Sequence, residues 1–351
     1  MKNKIREIIE PLLAWYEVNK RSLPWREGKE AYHIWLSEIM LQQTRIEAVK
    51  KYYDRFIKEV PTIYQLAHID EEKLLKLWEG LGYYNRARNL KKAAQIIEEK
   101  YQGKMPTNYE DLLTLPGIGE YTAGAIASIA YQEKVPAVDG NVLRVLSRIL
   151  ASKKDVLLPE TKKEMTIQLK QIMPEQAGDF NEALMELGEL ICLPNGQPSC
   201  DKCPLQMYCE AYQKNLIDQI PVRNVKTKRK KEEKTILVLI TENQKIAIQK
   251  RDQKGLLSGM YELPNISGKL ETKEIQNMLE QWGLNIESIQ KLKDYKHVFT
   301  HIDWYMEGYL IQVTNSNEQY LWLSRKEIEE KYALPTAFQV FLKQIDEEKS
   351  K

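Results

Sequence analysis

Residues 112–131 read LLTLPGIGEYTAGAIASIAY. An apolar helix end runs into Pro116-Gly117-Ile118-Gly119, and a second helical stretch begins directly after it. Glycines permit tight turns and let another backbone come close. The free amides at the start of the second helix favour a phosphate. Two readings follow. One is a helix–hairpin–helix that grips a nucleic-acid backbone without reading its sequence; the other is an ordinary helical hairpin with a glycine turn.

Outward from this hairpin, residues 1–216 read as nearly all helix. Periodic apolar stretches are broken at Gly28, Pro61, Gly103, Pro106, Pro116, Pro136 and Pro174. The segment IDQIPVRNVKTKRKKEEK then carries Pro221 and a dense basic run without apolar period. It reads as an interdomain linker, placed at 217–233, and as a solvated tether in preference to a DNA-binding tail. From Thr235 the pattern changes to strands, at TILVLIT, KIAIQK, MYELP, WYMEGYLIQV and YLWLS. Helical patterns at KEIQNMLEQWG and RKEIEEKYALPTAFQVFLKQI lie between and after them. The expected architecture is a mainly α domain over 1–216 followed by a small α+β domain over 234–346.

The chain has 351 residues, 43% apolar and 29% charged, which describes a globular protein of two domains. Its 52 basic and 50 acidic residues give a net charge of +2, which neither demands nor excludes nucleic acid. No run of eighteen apolar residues is present, and the N-terminal MKNKIREIIEPLLAWYE has helical spacing between charges. An intracellular, cytoplasmic and monomeric protein is the expectation.

All four cysteines fall between Cys192 and Cys209, spaced by seven, two and five residues at Cys192, Cys200, Cys203 and Cys209. Such a cluster in an intracellular chain points to a metal or an iron–sulfur centre rather than to disulfides. One knuckle, Cys200 with Cys203, plus two single cysteines suits a loop that wraps a cubane. Zinc and four unliganded thiols are the alternatives. Two carboxylates stand out as well. Glu38, Gln42 and Arg45 share a polar stripe if one helix runs through AYHIWLSEIMLQQTR, and periodicity alone reads that stripe as solvated. Asp139 precedes a helix in PAVDGNVLRVLSRIL, where Asp or Asn commonly serves as a cap, and Asn141 admits the same reading.

The hairpin, PAVDGNV and the cysteine loop together resemble the endonuclease III superfamily of DNA glycosylases. LPWR (23–26), SEIMLQQTRIEAV (37–49), GLGYYNRARNL (80–90), FNEALMELG (180–188) and VFTH (298–301) resemble its adenine DNA glycosylase branch. The resemblance covers nearly the whole chain. It implies a helix–hairpin–helix glycosylase domain with a [4Fe-4S] cluster on Cys192, Cys200, Cys203 and Cys209, and a C-terminal Nudix-like domain. It implies excision of adenine opposite 8-oxoguanine or guanine in double-stranded DNA, the target base flipped out of the stack. Glu38 falls on the acid position, Asp139 on the group that stabilises the sugar cation, and Asn141 beside it to orient Asp139 or substrate. Arg26 and Glu182 match positions that line the adenine pocket; their plain alternative is an exposed ion pair. Leu41, Gln43 and Tyr83 fall at the lesion and the DNA, with Gly117 and Gly119 in the hairpin. Packing would also account for Tyr83 and Tyr84, and an ordinary surface amide for Gln43.

Four differences matter. Bifunctional relatives carry a lysine where this chain has Tyr121, and a phenol cannot form the imine that leads to strand cleavage, so a monofunctional enzyme is expected. A surface aromatic is the plain alternative for Tyr121. The lesion-inspecting Phe-Ser-His loop is Phe299-Thr300-His301 here, which keeps the hydroxyl and adds a methyl group. The family usually places six residues between the first two cysteines, where this chain has seven, and the turn at Asn195-Gly196 can take up the extra one. The Nudix glutamate pair is absent from ETKEIQNMLEQWG, so no nucleotide hydrolysis is expected. Two other functions compete: a superfamily glycosylase acting on thymine in G·T mismatches or on oxidised pyrimidines, and a non-catalytic DNA-binding module.

Overall fold

A computed structural model describes residues 5–224, 229–252 and 255–349. The chain divides into two compact units, residues 1–69 with 88–225, and residues 70–87 with 226–351. Residues 225–228 of the expected linker lie outside the described residues. Within the rest of that stretch, 217–219 form a short 3₁₀ turn, Val222 bridges Asp155, and a strand has begun by Lys230.

In chain order the helices are α1 (Ile9–Asn19), α2 (Ala31–Leu41), α3 (Ile46–Glu59), α4 (Ile63–His68), α5 (Glu71–Leu77), α6 (Asn85–Tyr101), α7 (Tyr109–Leu113), α8 (Glu120–Tyr131), α9 (Gly140–Ile149), α10 (Pro159–Lys170), α11 (Ala177–Leu190) and α12 (Glu210–Gln213). Of these, α5 and the first turn of α6 belong to the second unit. Polar side chains close the open amides at several helix starts: Thr62 accepts from Gln65, Asn108 from Asp111 and Asp139 from Val142. A core of Leu12, Val142, Leu146, Phe180, Leu184 and Leu205 ties α1, α9 and α11 to the cysteine loop. The hairpin read from the sequence is present as α7, a turn, and α8. At its bend Gly117 has φ +79°, and an added Cβ would lie 2.7 Å from Asn89 Cβ, so this position needs glycine. Gly119 faces open space.

The second unit is built on an eight-stranded mixed sheet. Its strands are β1 (Lys230–Thr241), β2 (Ile246–Lys250), β3 (Tyr261–Glu262), β4 (Asn265–Ser267), β5 (Ile286–Lys291), β6 (Tyr295–Val298), β7 (Ile302–Val313) and β8 (Leu321–Leu323). The long central pair β1 and β7 runs parallel, from Lys230 opposite Ile302 to Thr241 opposite Val313, and the other pairings are antiparallel. Alternate residues of β1 feed two cores, one on each face of the sheet. Ile236, Val238 and Ile240 pack with Phe338 and Phe341 of α15 (Thr336–Lys349), while Leu237 and Leu239 pack with Ile275 and Leu279 of α13 (Thr272–Gln281). Pro335 separates α14 (Arg325–Lys331) from α15.

Candidate active site

In the first unit, a cavity of about 1070 Å³ is walled by α2, the start of α8, residues 138–141 and α11. Its lining includes Arg26, Glu38, Leu41, Gln43, Tyr121, Asp139, Asn141 and Glu182. Glu38 and Asp139, a hundred residues apart in sequence, therefore face one space.

Glu38 lies on the inner side of α2 and is 8% exposed. The Tyr121 hydroxyl donates to its Oε2 at 2.5 Å and also lies 3.2 Å from Met185 Sδ. Burial pushes the Glu38 carboxyl up to about 7; the Tyr121 hydrogen bond opposes that rise, and the nearby Asp139 charge adds to it. The phenol of Tyr121 is itself pushed well above its ordinary range, by burial and by Glu38. Tyr121 thus points into the cavity and is not the surface aromatic that its position on a helix also allowed.

The stripe expected of Glu38, Gln42 and Arg45 does not exist as one helix face. Helix α2 ends at Leu41, Gln43 takes φ +60°, and Arg45 is the cap of α3. The left-handed residue turns the chain, so Glu38 is buried while Gln43 is exposed at the cavity rim.

Asp139 is both a cap and a cavity group. Its Oδ1 accepts from the Val142 amide at 2.7 Å, and its Oδ2 from Asn141 Nδ2 at 2.8 Å. Burial raises the Asp139 carboxyl, and those donors together with Arg144 pull it back. Asn141 also reaches Glu189 Oε1 at 3.0 Å and accepts from Arg144 Nη2 at 2.8 Å. Arg144 continues to the carbonyls of Gly188 and Cys192. Gly188 lets α11 come close here, because a Cβ would sit 2.6 Å from Asn141 Cβ.

Arg26 and Glu182 form a buried pair, which corrects the exposed alternative. Arg26 Nε meets Glu182 Oε1 at 2.8 Å, with side-chain exposures of 18% and 6%. Burial raises the Glu182 carboxyl, with Arg26 and Lys29 opposing. Sequence reasoning missed the partner one turn on. Glu186 accepts from Arg26 Nη2 at 3.0 Å and from Arg21 through Nε at 2.7 Å and Nη2 at 2.9 Å. Burial pushes Glu186 up, but the Arg21 and Arg26 hydrogen bonds outweigh it and hold the carboxyl at about 2. The i, i+4 spacing of Glu182 and Glu186 in FNEALMELG was the available signal.

Tyr83, Phe299, Thr300 and His301 lie in the second unit. Tyr83 is 47% exposed with φ +48°, whereas Tyr84 is buried. Phe299, Thr300 and His301 form the tip between β6 and β7. The Phe299 ring packs edge-on against Trp304 and His297, leaving Thr300 and His301 exposed, and Thr300 Oγ1 shares a hydrogen bond with the Tyr83 hydroxyl.

Cys192, Cys200, Cys203 and Cys209 line one small cavity in the first unit with Ile191, Pro198, Tyr212, Ile217 and Arg148. Gly196 at φ +73° turns the longer first loop. Burial pushes the Cys203 thiol up to about 12 and raises Cys200 and Cys209 too, so these sulfurs need a positive partner to become thiolates. Arg148 Nη1 lies 3.2 Å from Cys192 Sγ and also donates to Leu193 O at 2.9 Å. Among the described residues no group of three or more His, Cys, Asp or Glu stands at single-ion geometry; the four sulfurs border a shared space instead. Among the same residues no helix is long and apolar enough to cross a membrane.

Residues 36–175 match the HhH-GPD superfamily of base excision DNA repair proteins, and residues 235–344 match the NUDIX domain. A solved thermostable thymine-DNA glycosylase is 30% identical, with a TM-score of 0.55 over 60% of this chain and 98% of that one. Hairpin, cavity and match together define a helix–hairpin–helix DNA glycosylase of base excision repair. Two curated relatives narrow this. The adenine DNA glycosylase of Arabidopsis thaliana is 35% identical, over 90% of this chain and 59% of its own length. That of Buchnera aphidicola subsp. Schizaphis graminum is 34% identical, over 90% of this chain and 92% of its own. The chain belongs to the adenine DNA glycosylase family.

Proposed function

We propose that this enzyme removes adenine mispaired with 8-oxoguanine, or with guanine, from double-stranded DNA, and that it cleaves the glycosidic bond without cutting the strand. The observation that carries the reading is a buried carboxyl held near pH 7, Glu38, facing the same cavity as Asp139. Breaking the bond from sugar to purine leaves electrons on a poor leaving group and positive charge on the sugar. A carboxylic acid still protonated near neutrality eases the first problem by giving its proton to N7 of the flipped adenine. A carboxylate at the anomeric carbon eases the second. Asp139 suits that role by facing the same cavity; burial raises its carboxyl, and the Val142 amide and Asn141 oppose that rise by binding the charged form. A water then adds to the anomeric carbon and gives its proton to the Glu38 carboxylate, which restores the acid.

Arg26 and Glu182 line the adenine side of the cavity, where Glu186 and Arg21 keep the guanidinium in place. Leu41 and Gln43 at the rim, and Tyr83, Phe299, Thr300 and His301 in the second unit, are the proposed contacts to the lesion and its strand; Gly117 and Gly119 would admit a phosphate. The four cysteines fit a [4Fe-4S] cluster, because the donor set is all sulfur and all four line one cavity. Bound there, the cluster would pin the loop 192–209; Arg148 would donate to the Cys192 sulfur.

The test is single-turnover incubation with a duplex holding A opposite 8-oxoguanine, followed by alkali, with A·T, G·T and thymine glycol duplexes as controls. Breaks at the adenine that appear after alkali, with little borohydride-trapped complex, are expected. Cutting of the G·T or glycol duplex without adenine release would move the enzyme to another branch, and a strong trapped band would return a lyase.

A further inference from the structure

Residues 70–87 group with the α+β unit, and three side chains fasten them there. Glu72 Oε1 accepts from Lys250 Nζ at 2.7 Å and from the Tyr261 hydroxyl at 2.9 Å. Lys76 Nζ donates to Tyr332 O at 3.0 Å. Glu79 does the most: its Oε1 accepts from the Leu334 amide at 2.8 Å and Gln339 Nε2 at 3.0 Å, and its Oε2 takes Lys76 Nζ at 2.7 Å. With 16% of its side chain exposed, Glu79 makes these bonds largely out of water, where charge-assisted hydrogen bonds are strongest.

Directly after Glu79 the backbone enters the left-handed region at Gly80 (φ +97°), Gly82 (φ +70°) and Tyr83 (φ +48°). For tyrosine that conformation is strained and persists where its surroundings hold it. Trp78 Nε1 donates to Gly82 O, and Arg86 Nη2 donates to the carbonyls of Leu81 and Gly82, so the turn is stiff within itself. A stiff turn goes where its base is fixed. Glu79 is that base, and the turn ends with the Tyr83 hydroxyl on Thr300.

We propose that Glu79 is a positioning residue for recognition of the base opposite adenine: by fixing the 80–84 turn to the segment 334–339, it presents Tyr83 and Thr300 as one surface. The inference rests on the reading of Tyr83 and Thr300 as lesion contacts. It predicts an effect on discrimination between 8-oxoguanine and guanine, and none on the chemistry at Glu38 and Asp139.

The experiment compares single-turnover adenine release from A·8-oxoguanine and A·G duplexes. Glu79→Ala should lower the ratio of the two rates by about tenfold, the scale of losing a charge-assisted pair, with the A·G rate little changed. Glu79→Gln, which keeps an acceptor for the Leu334 amide, should restore much of the ratio. Glu72→Ala loosens the same segment far from the turn and should leave the ratio alone. An unchanged ratio in folded Glu79→Ala, or an equal loss on both duplexes, overturns the proposal. If Glu79→Ala does not fold, Gln339→Ala carries the test, and an unchanged ratio there overturns it as well. Tyr83→Ala separates the levels. If it too leaves the ratio unchanged, the lesion reading itself is lost; if it lowers the ratio while Glu79→Ala does not, the positioning role alone is lost.

Discussion

At Glu38 the loss of water and the Tyr121 hydroxyl act in opposite directions, and burial wins, leaving the carboxyl at about 7. An unfolded glutamate titrates near pH ~4.3. Between these values the folded chain binds the extra proton, so stability falls as pH rises through that window and the penalty is complete above about 7. Its size is on the order of 3 kcal/mol. Glu38→Gln keeps the acceptor for Tyr121 and removes the buried charge. It should abolish adenine release, yet at pH 8 unfold at higher denaturant than the wild type, the two proteins converging near pH 4.5. Denaturant titrations at both pH values check this, and identical pH profiles would count against a buried titrating acid. In the wild type, release should decline above pH about 7 as Glu38 loses its proton. Tyr121→Phe removes the bond that holds the Glu38 value down and should move that decline to higher pH. The residue types and a cap at Asp139 were legible in the sequence. What spacing could not supply was the meeting of the two carboxylates, since that depends on packing α2 against α8 and α9 against α11.

Among the elements, apolar pattern found those whose burial is lopsided or complete. TILVLIT is buried almost throughout as the central strand and reads plainly. IESIQK and YKHV, strands β5 and β6, are half-exposed and polar, so nothing in them exceeds a loop pattern. The end of α2 was hidden for another reason: no glycine or proline marks it, and Gln43 itself takes the positive φ. Close helix packing sets a sharper test. Gly188→Ala would put a methyl 2.6 Å from Asn141 Cβ, so either α11 retreats from α9 or Asn141 moves. Asn141 is held by Arg144 and holds Asp139, so moving it disturbs the carboxylate proposed to face the sugar. Overpacking of this kind costs about 1–3 kcal/mol. The expected result is a lower melting temperature together with slower release from A·8-oxoguanine and A·G alike. Wild-type melting and rate would show that the two helices have room to spare.

For the molecule as a whole, composition said little: a net charge of +2 does not announce DNA. The membership of residues 70–87 in the second unit was likewise invisible, because α5 has the same helical pattern as its sequence neighbours and its anchors lie far along the chain, as between Glu72 and Lys250. The α+β unit raises the remaining question, whether a NUDIX fold here brings NUDIX chemistry. Fold does not carry function; the site does. Magnesium-assisted hydrolysis of a nucleotide needs carboxylate oxygens gathered where the phosphates bind. In α13 the Glu274 carboxylate accepts from the Glu271 amide at 2.7 Å, which spends it on starting the helix. Gln276, Asn277 and Gln281 put neutral amides along the rest, beside the single acid Glu280. An amide oxygen carries no net charge and competes poorly with water for magnesium, which gives up its hydration reluctantly. The full chain incubated with 8-oxo-dGTP and magnesium should therefore release no pyrophosphate above the buffer rate. Restoring acids by Asn277→Glu with Gln281→Glu is the matched control on the same helix. Magnesium-dependent turnover by the wild type would show that this unit keeps a hydrolase site built from other residues.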